Sequence, residues 1–373
     1  MAAEGLARAR RNLDAFHAAI EDPASAQEKL LQLLVLDYSK TEYGEGKLAT
    51  SIEEYRKLYP VVNYRDLEPG FERVRKEGFR VFLSEDPITW VMTRGSTGKS
   101  KIIPVTAKQM DHIVRGGSRG ILSFAMERGG FESLMGGVLN LQFPSNMYKM
   151  MVGDQELEFG FSSGTYARLN PIMAGLQLVP LQEEIDALET GLSKEDWDER
   201  YEFIYQKAKD QRVVTIMGVA PVQTGFARYV KREHGVLPRD LWDLKVIYTT
   251  SVAKIQQKYR PRLQGLYGDV PVVEMYTATE GAFGQQMDDY PYWRPNYDLY
   301  LFEVKTGEGV KMLYDMTRGE WGRLILSTPM LPRYRIGDLV ECMGKNYFRV
   351  FGRDKPRVVA EHLLYRALFG WIK

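Results

Sequence analysis

The sequence predicts an α/β fold with largely parallel sheets and a smaller antiparallel β subdomain. Two observations predict the first part: short β-branched or aromatic runs recur through the middle of the chain, and stretches of helical periodicity lie between several of them. A third predicts the second part. From Leu299 onward the strand-like runs are linked by glycine-containing turns, as antiparallel strands are.

The chain opens on MAAEGLARARRNLDAFHAAI, which spaces Leu6, Leu13, Phe16 and Ile20 as one face of an amphipathic helix with arginines between them. That stretch lacks the continuous apolar core of a signal peptide, and its Glu4 and Asp14 speak against a transit peptide. A second apolar helix is expected over 28–38, then a turn-rich link through Tyr59, Pro60 and Pro69. Strands are expected at RVFLS (80–84), ITWVMT (88–93), VLNLQF (138–143), VVTIMGV (213–219), LKVIYT (244–249) and VVEMY (272–276). Helices are expected over 197–209 and 222–233, with a polar linker at 182–198. The runs LYLFEV, RLILS and YFRVF make up the antiparallel part. No stretch approaches the ~18 to 20 apolar residues of a membrane span.

With 373 residues, 44% of them hydrophobic, the chain can bury a large core in one big domain or two ordinary ones. Fifty lysines and arginines face 49 acids, so no overall field draws the protein to nucleic acid or to an anionic membrane. Any anionic ligand must be held locally. The single cysteine, Cys342, excludes an intramolecular disulfide and a thiolate zinc cluster, and suits a reducing compartment such as the cytoplasm. His17, His112, His234 and His362 lie far apart without metal-ligand spacing.

The segment TRGSTGKSK, 93–101, follows a predicted strand and precedes IIPVT and a helix starting near Ala107. Glycines and small residues let backbone N–H groups approach phosphate oxygens, hydroxyls add donors, and a lysine adds charge, a combination suited to a nucleoside triphosphate. It is not a Walker loop, because Thr93 stands where that motif requires glycine, and no GxGxxG points to a dinucleotide fold. Read alone, the segment is also compatible with a surface turn. Three further segments shift the balance: YTATE (276–280) after the VVEM strand, RYRIGD (333–338) after a proline-containing turn, and FGRDK (351–355) closing a strand.

In that order the four segments resemble the adenylate-forming superfamily of acyl-CoA synthetases, adenylation domains and luciferases. Within it the chain is similar to the GH3 acyl-acid amido synthetases, through SIEEYRKLYPVVNYRDLEP before the loop, IIPVT after it and RYRIGD in place of the commoner YRTGD. The resemblance implies the large N-terminal domain of the adenylate-forming fold over 1–352, with 299–352 as its β-rich subdomain and 353–373 as a hinge and helical tail. It implies ATP and magnesium, with Thr93, Gly95, Ser96, Thr97, Gly98 and Lys101 gripping the phosphates. Tyr276 would stack on adenine, flanked by Thr277, Ala278 and Thr279, and Glu280 would bind the magnesium ion. Asp338 would accept from both ribose hydroxyls, with Gly337 allowing its tight turn, and Arg353 would reach the ribose near the hinge. Lys101 and Glu280 are the residues expected to act in catalysis.

The implied reaction is attack of a small carboxylic acid on the α-phosphate of ATP, giving an acyl-adenylate whose acyl group passes to an amine such as an amino acid, or to a thiol. A non-catalytic or partner-dependent nucleotide-binding role is the alternative. For the acid, relatives use the segments equivalent to 141–147, 219–224 and 249–252, which singles out Phe143, Met147, Val219, Thr250 and Ser251. Core packing accounts for Phe143 and Met147 equally well.

The chain departs from the pattern in three places. Arg94 replaces the usual Ser or Thr, either adding a phosphate contact or obstructing the loop. The hinge GRD at 352–354 is shorter than the usual GRxD. Only 21 residues follow Gly352, where family members carry a C-terminal domain of roughly a hundred. The tail spaces Val358, Leu363, Leu364, Ala367 and Leu368 as a helix, read as a cap, the start of a further domain, or a docking surface for a protein partner.

Overall fold

The computed structural model describes residues 2–93, 100–170, 176–250 and 255–369. Arg94, Gly95, Ser96, Thr97, Gly98 and Ser251 lie outside them.

The chain begins with helices α1 (Ala2–Glu21), α2 (Pro23–Tyr38), α3 (Ile52–Leu58) and α4 (Tyr64–Glu77). Asp22 caps α2 by accepting from the Ser25 N–H at 3.1 Å, and Pro23 occupies the first helical position, where no N–H is needed. Pro69 falls inside α4 rather than in a link, contrary to expectation. As the sixth residue of the helix it cannot donate to the Arg65 carbonyl, and its ring crowds that carbonyl. The strand expected at 80–84 is absent. Phe79–Val81 form a 3₁₀ turn, and the N–H groups of Phe82 and Leu83 both return to the Phe79 carbonyl. Val81, Phe82 and Leu83 are all buried, so the run has the composition of a strand without its alternation.

Strands β1 (Pro87–Met92) and β2 (Ile102–Thr106) follow, then α5 (Ala107–Glu127), β3 (Gly137–Asn140), β4 (Tyr148–Val152), β5 (Gln155–Phe161), α6 (Ser162–Leu169) and β6 (Gln177–Val179). Thr106 caps α5 through the Gln109 N–H. β3 stops three residues before its expected end because Asn140 Oδ1 accepts the Gln142 N–H, a local turn that competes with the ladder. The stretch 182–198 is more than a linker: it holds α7 (Gln182–Asp186) and the start of α8 (Lys194–Ala208), whose Ser193 and Asp196 form a reciprocal cap. Next come β7 (Val213–Val219), α9 (Ala220–His234), α10 (Pro238–Leu241) and β8 (Val246–Thr250). A π turn at Ile255–Tyr259 leads into α11 (Arg260–Tyr267). The remainder is β9 (Val272–Ala278), β10 (Gly281–Gln285), β11 (Arg294–Pro295), β12 (Leu301–Lys305), β13 (Val310–Met312), β14 (Trp321–Thr328), β15 (Leu331–Gly344), β16 (Tyr347–Arg353) and α12 (Pro356–Phe369).

These elements divide into two units: residues 1–13, 75–78 and 85–291, and residues 14–74, 79–84 and 292–373. In the first, β6-β3-β7-β8-β9 are adjacent and parallel, with β10 antiparallel at the β9 side. Helices cross over between consecutive parallel strands, as that topology demands. A second sheet runs β2-β1-β5-β4. Ile121 and Phe124 of α5 pack on Val246, Tyr248, Val273 and Met275, so α5 covers one face of β8 and β9.

The second unit is built on the antiparallel sheet β13-β12-β14-β15-β16. Leu30, Leu31, Leu34, Val35 and Tyr38 of α2 form a core with Tyr55, Tyr59, Leu301 and Met312. The helix is also docked by a polar residue: buried Gln27 donates to the carbonyls of Tyr297 and Tyr300 at 2.6 and 2.7 Å and accepts from the Phe302 N–H at 2.8 Å. In α12 the apolar residues singled out by spacing face outward, with Leu363, Leu364 and Leu368 at 50, 59 and 66% exposure. The packed residue is His362, stacked on Phe351 at 4.0 Å with Trp321 against its edge.

Candidate functional site

The base of the loop after β1 is closed by Thr93 and Lys101. The Thr93 N–H donates to the Lys101 carbonyl and the Lys101 N–H to Thr93 Oγ1, each at 3.0 Å. β1 and β2 pair antiparallel just beyond, which fixes where Lys101 leaves the sheet. Its Nζ lies 3.0 Å from Glu280 Oε1, 179 residues away. Glu280 is not at a helix start, one reading of a lone carboxylate there. β9 continues through Ala278, Ala278 pairs with Gly281, and Thr279 and Glu280 form the two-residue turn into β10.

That turn is held from several sides. Gln109, in the first turn of α5 and fully buried, donates to the Glu280 carbonyl at 2.7 Å. Tyr166 of α6 donates its hydroxyl to the Thr279 carbonyl at 2.6 Å, and Ser162 Oγ lies 2.9 Å from Thr279 Oγ1. Sequence reasoning missed Gln109, Ser162 and Tyr166, which carry no motif. A buried carboxylate is expensive without a partner. Here the Glu280 side chain, 4% exposed, is paired with a lysine that stays 22% exposed, leaving one cationic edge toward solvent.

Tyr276 is buried and lies 5.5 Å from the Phe283 ring. Thr277 Oγ1 meets Thr250 Oγ1 at 2.9 Å, joining the ends of β8 and β9. Val219, buried, ends β7. Phe143 is enclosed by Phe161 and Trp197 at ring distances of 5.2 and 5.1 Å, and Met147 is half-buried before β4. Two residues before Tyr276, on the same face of β9, burial pushes the Glu274 carboxyl up to about 7, against the lowering effect of a bond from Gln256.

In the second unit Asp338 is buried, and its Oδ1 accepts from Arg353 Nη1 at 2.8 Å. Gly337 precedes it at φ +89, a left-handed conformation that glycine adopts without strain. The turn there is an irregularity within β15 rather than a hairpin, since Arg335 pairs with Ile325 but Leu339 with Arg323. Arg353 Nη2 also donates to the Ile336 carbonyl at 3.1 Å. At the expected hinge, Asp354 accepts from Arg323 Nε at 2.8 Å. The first arginine of RYRIGD is structural: Arg333, at φ +43, is buried against Glu303 at 2.9 Å and donates to the carbonyls of Arg56 and Tyr59.

The chain has the fold of adenylate-forming enzymes. It is similar to the solved structure of the GH3.15 acyl acid amido synthetase in complex with 2,4-DB, with a TM-score of 0.76 and 17% identity over 93% of this chain and 71% of that one. It is also similar to 2-hydroxyisobutyryl-CoA ligase in complex with 2-HIB-AMP and CoA, with a TM-score of 0.64 and 13% identity over 91 and 69%. Residues 12–171 match the GH3 family N-terminal domain. Two indole-3-acetic acid-amido synthetases of Arabidopsis thaliana are related in sequence: GH3.2 at 30% identity over 24% of this chain and 17% of its own length, and GH3.17 at 29% over 23 and 15%. The matched stretch thus spans less than a fifth of either relative.

Proposed function

We propose that the protein activates a small carboxylic acid with ATP and passes the acyl group to an amine such as an amino acid. The observation that carries this reading is the Lys101–Glu280 pair, held on a two-residue turn by Gln109 and Tyr166 in a fold that adenylate-forming enzymes share. In the reaction a carboxylate oxygen attacks the α-phosphorus, the bond to the bridging oxygen breaks and pyrophosphate leaves. The amine nitrogen then attacks the acyl carbon, and AMP departs as the amide forms. Little covalent help is needed; charge and position do the work.

Lys101 supplies positive charge toward the phosphates and Tyr276 a platform for adenine. In the second unit, Asp338 and Arg353 are assigned to the ribose. Among the described residues no cluster of three or more His, Cys, Asp or Glu is gathered for a metal. Magnesium fits the donor set nonetheless, because it is held by one or two carboxylates with phosphate oxygens and water, and Glu280 is such a carboxylate. Bound there, it would neutralise phosphate charge. Among the described residues no helix is long and apolar enough to cross a membrane. The use of a single cysteine suits a reducing compartment such as the cytoplasm.

The likeness to a CoA ligase supports a second reading, in which the acceptor is a thiol. Carboxylate-dependent pyrophosphate exchange with ATP and magnesium, across aryl, indolyl and fatty acids, tests the first half-reaction. Exchange with one class establishes adenylation, and offering amino acids or coenzyme A to that mixture identifies the acceptor. Silence across the panel with ATP binding intact would favour a non-catalytic nucleotide-binding protein or one completed by a protein partner.

A further inference from the structure

The antiparallel unit contains a cavity of about 230 Å³ that the nucleotide reading does not use. Its lining is aromatic. Tyr297 and Phe348 are buried, and the Tyr297 and Tyr314 rings meet at 78° with their centroids 6.2 Å apart. Two rings close to a right angle leave a corner that suits the face and edge of a further flat ring. Cys342, the single cysteine of the chain, also lines the cavity, and its Sγ donates to the Met316 carbonyl at 3.3 Å. Register pairs Cys342 with Phe348 here and Asp338 with Arg353 further along the same two strands, so the cavity is separate from the residues assigned to the ribose. The β15–β16 turn contributes Lys345 and Asn346, at φ +52 and +60, between the paired Gly344 and Tyr347. Such a turn favours Asn, Asp or Gly at both central positions. Asn346 follows that rule and is fixed by donating to the Ile20 carbonyl at 3.0 Å. Lys345 does not follow it. It is the one charged residue of the lining, and among the described residues no acid pairs with it.

We propose that this cavity binds a small planar aromatic carboxylate as an accessory ligand, with its ring among the tyrosines and Phe348 and its carboxylate at Lys345. The volume sets the size. It falls below the roughly 300 Å³ of common small-molecule pockets, so it takes a fragment of about ten non-hydrogen atoms and excludes a nucleotide. Ring burial against aromatic side chains supplies most of the affinity, and an exposed lysine adds a little while choosing the sign of the charge. The wall opposes no anion: burial pushes the Cys342 thiol up, so it stays neutral and behaves as a small apolar group. The Tyr314 hydroxyl, which has no hydrogen-bond partner among the described residues, adds a donor. None of the residues assigned to adenylation lines the cavity, so the proposal stands apart from that reading.

Cys342 provides the test, because a single thiol in the lining reports whether the cavity is filled. The native full chain is alkylated with N-ethylmaleimide at about pH 8.5, where thiols ionise, and without ATP. The rate at Cys342 is followed by intact mass spectrometry with benzoate, benzamide or cyclohexanecarboxylate added. Benzoate should slow the reaction about tenfold at saturation, with half-protection at about 1 mM, the range open to a fragment of this size. Benzamide, which lacks the charge, and cyclohexanecarboxylate, which lacks the flat ring, should each need about threefold more. Lys345→Gln, a change at an exposed turn, should weaken benzoate about threefold and leave benzamide as it was. Equal protection by benzoate and benzamide overturns the assignment of an anion, and equal protection by benzoate and cyclohexanecarboxylate overturns that of an aromatic ring. Absence of protection up to about 50 mM overturns the site itself. A Cys342 that reacts only as fast as the protein unfolds would show the cavity closed to molecules of fragment size, and overturns the site as well.

Discussion

Two carboxylates, one in each unit, make the same kind of pair by different routes. Glu280 meets Lys101 at 3.0 Å and Asp338 meets Arg353 at 2.8 Å. The Asp338 pair is local: the partner lies 15 residues on, on the adjacent strand, and register places Arg353 opposite Asp338. The Glu280 pair joins residues 179 apart, and the turn beneath it is held by side chains 113 to 171 residues away. The first arrangement is a property of one hairpin, the second of a folded unit.

The sharpest way to break the comparison is to delete each carboxylate. Glu280→Ala should lower carboxylate-dependent pyrophosphate exchange by about 10² to 10³, the scale of losing one electrostatic contact to a charged transition state, while ATP binding persists. Asp338→Ala should act on affinity, weakening ATP by about tenfold or more, because a ribose contact is made before and during reaction alike. Exchange rates and calorimetry read the two effects separately. If both variants retain affinity and rate, the site assignment is wrong in both units.

A second prediction concerns stability in the antiparallel unit. Glu303, 1% exposed, accepts from Arg56 Nε at 2.8 Å and from Arg333 Nε at 2.9 Å. Glu303→Ala leaves the Arg333 guanidinium buried without its carboxylate and should cost about 3 to 5 kcal/mol in denaturant unfolding. An effect below about 1 kcal/mol would show that RYRIGD owes its first arginine to something other than this pair.

Glu274 extends the contrast into pH. Its carboxyl is raised from the ordinary value of 4.5 to about 7, so between those values the folded chain holds a proton the unfolded chain has released. Folding stability therefore falls as pH rises from 4.5 to 7, and the penalty is constant above that. Glu274→Gln has no such penalty. It should match the wild type near pH 4 and exceed it by roughly 3 kcal/mol at pH 8, because each pH unit between 4.5 and about 7 costs the wild type about 1.4 kcal/mol. Parallel stability curves for the two proteins would refute this.

How legible these features were in the sequence follows the same division. The VVTIMGV strand and the helix beginning at Ala107 emerge where expected, because β-branched composition, capping by Thr106 and chain punctuation are local. The antiparallel runs at 301–305, 321–328 and 347–353 were readable for the same reason. The RVFLS segment misled because burial on every side has no period, whereas the tail forms the helix its spacing predicts, with Leu363, Leu364 and Leu368 exposed as the apolar end suggested. Lys101, Glu280, Asp338 and Arg353 stood out through motif resemblance. Gln27, Gln109, Tyr166 and Gln256 did not, since each matters only through a backbone or side chain far along the chain.

Tyr166 offers the finest test of that last class. Its hydroxyl, donating to the Thr279 carbonyl at 2.6 Å, is one of several holds on the Glu280 turn, and Gln109 and Ser162 remain when it is removed. Tyr166→Phe deletes one hydrogen bond of about 1 kcal/mol and leaves the ring in place. If the turn is pinned redundantly, kcat should fall only a few-fold with KM for ATP unchanged, because the geometry of Glu280 matters most in the transition state. A loss as large as that of Glu280→Ala would mean that the turn depends on a single contact, and the Glu280 carboxylate would then be hardly better secured than its local counterpart at Asp338.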